Sequence, residues 1–248
     1  MKRTLLVFLV VSLSSLAMAD TAGLTRYDQS IEAKASQQLA AKKEYQSVQS
    51  TVEDGIVTLT GEVGLYQQKL DAAKKVRKLA NVQGVRNLIE VAGPNVPDGE
   101  LTAQLDRKLY YDRMGLDIAF NFVTASVQNG VVTLNGETLL DVDRQSALWL
   151  AYNTPGVKDV ISNINVAPVS NFDDRIRFQA ARMIYRDPVL SRYAIDPARP
   201  IRIVVNNGKL SLYGTVANQM DKNVAGIRAS QVFGAFSVQN NLQVAKKS

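Results

Sequence analysis

The chain has 248 residues, 46% of them apolar and 21% charged, with a formal net charge of +6 and neither Cys nor His. That is the make-up of folded domains rather than of a disordered or collagenous chain, and the length fits one large domain or two to three small ones. The missing Cys excludes disulfides, thiolate zinc sites, a Cys nucleophile and a Cys-linked lipid anchor, and the missing His excludes the Ser-His-Asp triad and HExxH zinc sites.

The chain opens on a basic start, Met1-Lys2-Arg3, followed by a twelve-residue run dominated by Leu and Val from Leu5 to Leu16. Ala17-Met18-Ala19 then forms an A-x-A signature before Asp20. This is the layout of a secretory signal peptide over residues 1–19. The run is too short for the ~20 residues that span a bilayer, and no later stretch is apolar enough to span. The exported chain is expected to start at Asp20, to carry a formal charge of +4 and to be periplasmic.

Past Asp20 one pattern occurs three times. Its copies are Asp54-Gly55-Ile56-Val57-Thr58-Leu59-Thr60-Gly61, Asn129-Gly130-Val131-Val132-Thr133-Leu134-Asn135-Gly136 and Asn207-Gly208-Lys209-Leu210-Ser211-Leu212-Tyr213-Gly214. The first glycines lie 75 and 78 residues apart. Asp-Gly or Asn-Gly between two β-prone runs is the strongest short hairpin signal, because these residues tolerate the positive φ of a type I′ turn. The strands before the turns are read at Val48–Val52, Phe122–Val127 and Ile201–Val205. After the turns, Val57/Leu59, Val132/Leu134 and Leu210/Leu212 alternate with smaller or polar residues, as in a sheet with one buried face. Gly61, Gly136 and Gly214 either end the second strand or admit another backbone at close range.

A helical stretch follows each hairpin, with Ala72, Ala147 or Ala225 placed to let it lie close on the sheet. Gly84-Val85, Gly156-Val157 and Gly234-Ala235 come next, at 23, 20 and 20 residues past the closing glycine. The three extra residues predict a first-copy helix about one turn longer. Third strands are read at Asn87–Val91, Ser162–Val166 and Asn240–Val244. Helices also precede each hairpin, at about Asp28–Lys43, Asp98–Tyr111 and Asp173–Arg186, each with an Asp placed to cap its N-terminus. The unit is therefore α-β-β-α-β, of α+β class, with two helices on one face of a three-stranded sheet. Domains are expected over residues 20–92, 98–167 and 172–248, joined by short linkers stiffened by Pro94, Pro97 and Pro168.

The sequence Asp/Asn-Gly-x-Val-x-Leu-x-Gly, followed by the helical Ala, Gly-Val and the last strand, resembles the BON domain. Copy three departs from it at Gly234-Ala235 and by the longer stretch through Pro188, Pro197 and Pro200. The resemblance implies the α-β-β-α-β fold and a non-enzymatic binding module of the bacterial envelope, often linked to phospholipid surfaces. It implies no catalytic residues and no cofactor. Some periplasmic relatives are associated with folding or stress.

Charge separates the copies. Residues 20–92 hold 10 basic and 9 acidic side chains, residues 98–167 hold 5 and 9, and residues 172–248 hold 12 and 5. In the first helix of copy three, Arg175, Arg182 and Arg186 stand at i, i+7 and i+11, within roughly 40° of one another, while Ile176, Ala180 and Met183 share another face. Guanidinium groups match phosphates, so this row is the candidate contact with anionic phospholipid head groups. Its alternative use is as solvated arginines paired with Asp173 or Asp187. Asp173-Asp174, Asp141 and Asp143 read as helix caps rather than metal ligands, since EF-hand spacing is missing. Trp149, between Leu148 and Leu150, reads as core, and Tyr110, Tyr111, Phe120 and Phe122 as core or interface. The functional expectation is a periplasmic protein that binds anionic membrane surfaces or envelope proteins, with no nucleic acid and no small-molecule substrate. A chaperone for unfolded clients is the alternative, an adaptor for a larger envelope assembly a weaker one, and self-association through the acidic second and basic third copies is open.

Overall fold

The computed structural model describes residues 15–111, 118–195 and 200–245, with side chains of 27–109, 119–194 and 200–245. Most of the expected signal segment, residues 1–14, lies outside the described residues. The chain forms two compact units, residues 1–92 and 93–248. Copy one makes up the first unit, and copies two and three share the second.

Copy one runs α1 (Ser15–Ala40), β1 (Gln49–Glu53), β2 (Ile56–Thr60), β3 (Glu62–Val63), α2 (Tyr66–Arg77), β4 (Gly84–Asn87) and β5 (Glu90–Val91). Copy two runs α3 (Asp98–Tyr111), β6 (Phe122–Gln128), β7 (Val131–Thr138), α4 (Asp141–Tyr152) and β8 (Asp159–Val166). Copy three runs α5 (Asn171–Tyr185), α6 (Arg192–Ile195), β9 (Arg202–Asn206), β10 (Lys209–Tyr213), β11 (Thr215–Val216), α7 (Gln219–Ser230), β12 (Ser237–Asn240) and β13 (Gln243–Val244). The three-stranded sheets are ordered β1-β2-β4, β6-β7-β8 and β9-β10-β12. In each the hairpin is antiparallel and the third strand returns parallel to the middle one after a helix.

The alternating apolar residues are buried in all three copies, but in copy three β9 and β10 are buried on both faces, with Arg202, Val204 and Ser211 buried as well. Val57, Leu59, Val132, Leu134, Leu210 and Leu212 are wholly buried, as are Ala72, Ala147 and Ala225 on the helices above them. Burying each Val or Leu contributes about 1.5–3 kcal/mol, which small domains of this size need. All three turns have positive φ at both central residues: 51° and 73° at Asp54-Gly55, 54° and 78° at Asn129-Gly130, 49° and 75° at Asn207-Gly208. The closing glycines satisfy the close-approach reading. A Cβ would stand 1.9 Å from Ser47 O at Gly61, 1.9 Å from Phe122 O at Gly136 and 2.7 Å from Pro200 O at Gly214.

Two expectations change. The first concerns the aspartates read as helix caps, of which Asp28 lies inside α1 rather than at its start. The Asp28 carboxylate accepts from Asp54 N and Gly55 N, both at 2.9 Å. Asp98 accepts from Asn129 N at 2.7 Å and Gly130 N at 3.0 Å. Asp173 accepts from Asn207 N at 2.9 Å and Gly208 N at 2.7 Å. Each aspartate thus clamps the hairpin turn of its own copy instead of capping its own helix. A two-residue turn leaves these N–H groups without strand partners, so a carboxylate is the stronger partner for them than for a helix end. The cap of α5 is Ser170, which accepts from Asp173 N at 3.2 Å.

The second concerns the length of the helix after the hairpin. α2, α4 and α7 have 12 residues each. The residue matching Gly156 and Gly234 is Asn81, not Gly84: φ is 68° at Asn81, 93° at Gly156 and 91° at Gly234. In all three copies the residue two further on donates to the carbonyl of the turn glycine, Gln83 to Gly55, Lys158 to Gly130 and Phe236 to Gly208. Asn tolerates the left-handed region, so it replaces Gly there and hides the equivalence. Gly84 lies inside β4, and the third strands accordingly begin three residues earlier than read in copies one, two and three alike.

Asp173→Asn leaves one amide oxygen facing two N–H donors in a buried site. It is expected to destabilise the second unit by about 2 kcal/mol or more, read from urea midpoints. Gly61→Ala is expected to prevent copy one from folding, whereas Gly99→Ala, with no atom within 4 Å of the added carbon, is expected to be neutral or stabilising by about 0.5–1 kcal/mol. Circular dichroism melts separate the two.

Candidate functional site

The basic helix face is built by α5. Its inner face buries Ile176, Ala180 and Ile184 against the sheet of copy three, with Met183 half-buried beside them. Arg175, Arg182 and Arg186 are all exposed on the opposite side. Phe178, 59% exposed, stands one turn from Arg175 and one turn from Arg182. An apolar ring therefore flanks the guanidinium row.

The pairings that would neutralise the row are made elsewhere. Asp173 holds the hairpin turn. Asp174 pairs with Arg177 at 2.5 Å, and the buried Arg177 also donates to Val205 O. Asp187 pairs with Arg228 at 2.8 Å and accepts from Val189 N. Asp221, at the start of α7, pairs with Arg192 and accepts from the Tyr193 hydroxyl. Every described carboxylate of copy three is thus engaged with a group off the row. Arg175 donates through Nε to Asn171 O, and Arg182 and Arg186 have no ion-pair partner among the described residues.

Copies two and three meet through aromatic and aliphatic contacts, not through this row. Phe120 is buried in the core of copy three with Ala119 and Leu139 packed against it. Phe122 stacks on Tyr213 at 4.3 Å, and Phe120 meets Phe178 edge-on at 5.7 Å. Phe120 and Phe122 are therefore interface residues, while the side chains of Tyr110 and Tyr111 lie outside the described residues.

Asp143 accepts from Leu140 N at 3.1 Å and Asp141 pairs with Arg144, as helix-start residues do. No group of three or more potential ligands able to hold a metal occurs among the described residues. Trp149 corrects the sequence reading: it is 59% exposed, with Ala147, Leu148, Leu150 and Ala151 buried around it. Apolar neighbours in sequence do not share a helix face, which is set by the 3.6-residue period. The same period marks what went unread in Arg177, which falls about 20° from the buried Ile184 and so points inward.

The BON domain profile matches residues 27–93, 97–168 and 186–246, well over half of the chain. The chain belongs to the BON domain family. The third match starts after α5, yet α5 stands to copy three as α1 and α3 stand to theirs, through the Asp173 clamp and its buried face. BON domain proteins are generally non-enzymatic and typically periplasmic or envelope-associated. No described helix is long and apolar enough to cross a membrane. Among solved structures the chain is similar to CdsD, a structural protein of the type III secretion system of Chlamydia trachomatis, at 15% identity and a TM-score of 0.25, covering 90% of this chain and 93% of that one. It is likewise similar to the C-terminal domain of CdsD at 15% identity and a TM-score of 0.24, covering 89% and 96%. Likeness at that level carries no argument about this protein. No curated protein matches the chain.

The hydrogen bond from Arg228 holds the Asp187 carboxyl below its ordinary value of 3.8, against the opposing effect of burial and with help from the N–H groups of Val189 and Leu190. A folded-state value below the unfolded one stabilises at neutral pH, and this contribution is lost as pH falls below about 4. Arg228→Gln is expected to weaken that acid limb in a plot of urea midpoint against pH. An unchanged limb would show that the pair does not stabilise copy three.

Proposed function

We propose that this BON protein is a non-enzymatic periplasmic envelope protein that binds anionic phospholipid surfaces through the outer face of α5 and supports envelope integrity. One observation carries the reading: Asp173, Asp174, Asp187 and Asp221 are all engaged away from Arg175, Arg182 and Arg186, so the exposed row has no described counter-ion. Its charge is left for a phosphate outside the protein. Guanidinium forks fit phosphate oxygens, and the Phe178 ring beside them suits the head-group boundary, where aromatic side chains gather. The basic, apolar and A-x-A pattern of the first 19 residues supports delivery to the periplasm.

Arginine near an anionic surface contributes about 1 kcal/mol each, so Arg175→Ala/Arg182→Ala/Arg186→Ala is expected to weaken co-sedimentation with phosphatidylglycerol vesicles by on the order of 100-fold at low salt. The wild-type affinity is expected to fall as salt rises, and phosphatidylcholine vesicles are expected to bind little. Equal binding by the triple variant would refute the assignment.

A second reading, a chaperone for unfolded clients, has support in copy two. Val142 and Trp149, seven residues apart on the outer face of α4, are 55% and 59% exposed. An apolar strip of this kind suits an unfolded chain. Trp149 is the sole tryptophan, so client binding there would move its fluorescence. Suppression of client aggregation that is lost in Val142→Ser/Trp149→Ser, without vesicle binding, would favour this reading over the first.

A further inference from the structure

The end of copy three that carries the hairpin turn exposes three phenylalanines. Phe172 opens α5 and is 38% exposed, and Phe233 and Phe236 lie between α7 and β12 at 88% and 77% exposed. The Phe172 and Phe236 rings are 5.4 Å apart. Phe236 lies across the turn, where a Cβ on Gly208 would meet its ring at 2.5 Å, and a Cβ on Gly234 would stand 3.7 Å from the Phe172 ring.

The fold itself does not require aromatic residues at these places. The clamp aspartates and the left-handed Asn81, Gly156 and Gly234 put the copies in register. In that register Phe172, Phe233 and Phe236 correspond to Tyr27, Ala80 and Gln83 in copy one and to Pro97, Pro155 and Lys158 in copy two. The same backbone is built with Ala, Gln, Pro or Lys, so the full triad answers to something outside the domain. Exposed Phe at such fractions is costly in water unless a surface covers it.

Charge identifies the covering surface. Arg175 stands one helical turn from Phe172 on α5, at the near end of the unpaired row, and exposed Lys209 follows the turn glycine. An apolar tip flanked by two cations complements an anionic bilayer, whose head groups take the charges while the upper acyl chains take the rings. We propose that Phe172, Phe233 and Phe236 form a wedge that enters the acyl boundary of an anionic membrane, so that copy three docks with its hairpin end leading. This rests on the phospholipid reading of the arginine row and adds to it depth of insertion and orientation.

The test uses the full chain in a Trp149→Phe background, with Phe233→Trp or Phe236→Trp as probe, and vesicles of phosphatidylglycerol and phosphatidylcholine. Both probes are expected to shift to the blue on binding, and a nitroxide at the top of the acyl chain is expected to quench them more than one on the head group. Phe233→Ser/Phe236→Ser is expected to bind on the order of tenfold more weakly with an unchanged salt dependence, because apolar area is lost and charge is not. The variant's melting temperature, expected to be unchanged for such exposed positions, separates this loss from misfolding. Bound protein whose probes neither shift nor quench would overturn the wedge and leave the arginine reading standing. Absence of vesicle binding in every arm would overturn both. A blue shift that grows with protein concentration in the absence of lipid would assign the tip to contact between two copies of the chain and overturn the wedge.

Discussion

A single carboxylate holding two successive turn N–H groups is the interaction on which each domain of this protein depends. Asp28, within α1, and Asp98 and Asp173, in the first turns of α3 and α5, reach the tip of a hairpin 26 to 35 residues later in the chain. The type I′ turn puts two donors side by side with no strand to receive them. One ionised acceptor satisfies both, and in doing so sets the leading helix across the hairpin. The buried Val and Leu residues supply most of the stabilising energy, but their attraction has no direction. The clamp supplies direction, and it accounts for the helix and the hairpin meeting at the same end in all three copies.

On this common frame the copies diverge where the frame permits. In copies one and three the Asn87 and Asn240 amides donate to Lys69 O and Lys222 O on the preceding helix, and their side-chain oxygens accept from Ile89 N and Leu242 N. The ladder breaks there into a long and a short pair of strands. Copy two has Ser162 at that place, without the reach of an amide, and β7 pairs with β8 without interruption from Val131 to Thr138. Gly136 accordingly lies within a strand, while Gly61 and Gly214 lie between strands.

Copy three also differs in how it uses charge. Its excess of basic over acidic residues is not spread over its surface. Arg177, Arg192 and Arg228 are tied to Asp174, Asp221 and Asp187 inside the domain or at its edge. Two of these pairs tie α6 and the turn after α5 to α7, while Arg177, paired within α5, reaches Val205 O on β9. They consume the described acids, and the arginines remaining on the outer face of α5 are left unneutralised. The internal ion pairs that close the domain thus leave its outer face basic. The aromatic contacts between copies two and three reach this face only at Phe178, beside the row.

Local chemistry makes much of this legible in the sequence. Asp-Gly and Asn-Gly turns, alternating apolar residues and a small residue on the covering helix depend on near neighbours alone, so the hairpins, their buried faces and the repeat follow from the sequence. So does the outward row Arg175, Arg182 and Arg186, which needs only the helical period. What depends on residues far apart in the chain was decided by the tertiary structure. The destination of the Asp173 carboxylate was set by a turn over thirty residues away, and Asn81 matches Gly156 and Gly234 because their backbones share one conformation, which residue type conceals. Trp149 was drawn outward by the packing of the residues beside it. Which arginines remain unpaired was settled by where each aspartate lands, because an ion pair is a matter of distance in space, and distance along the chain does not fix it.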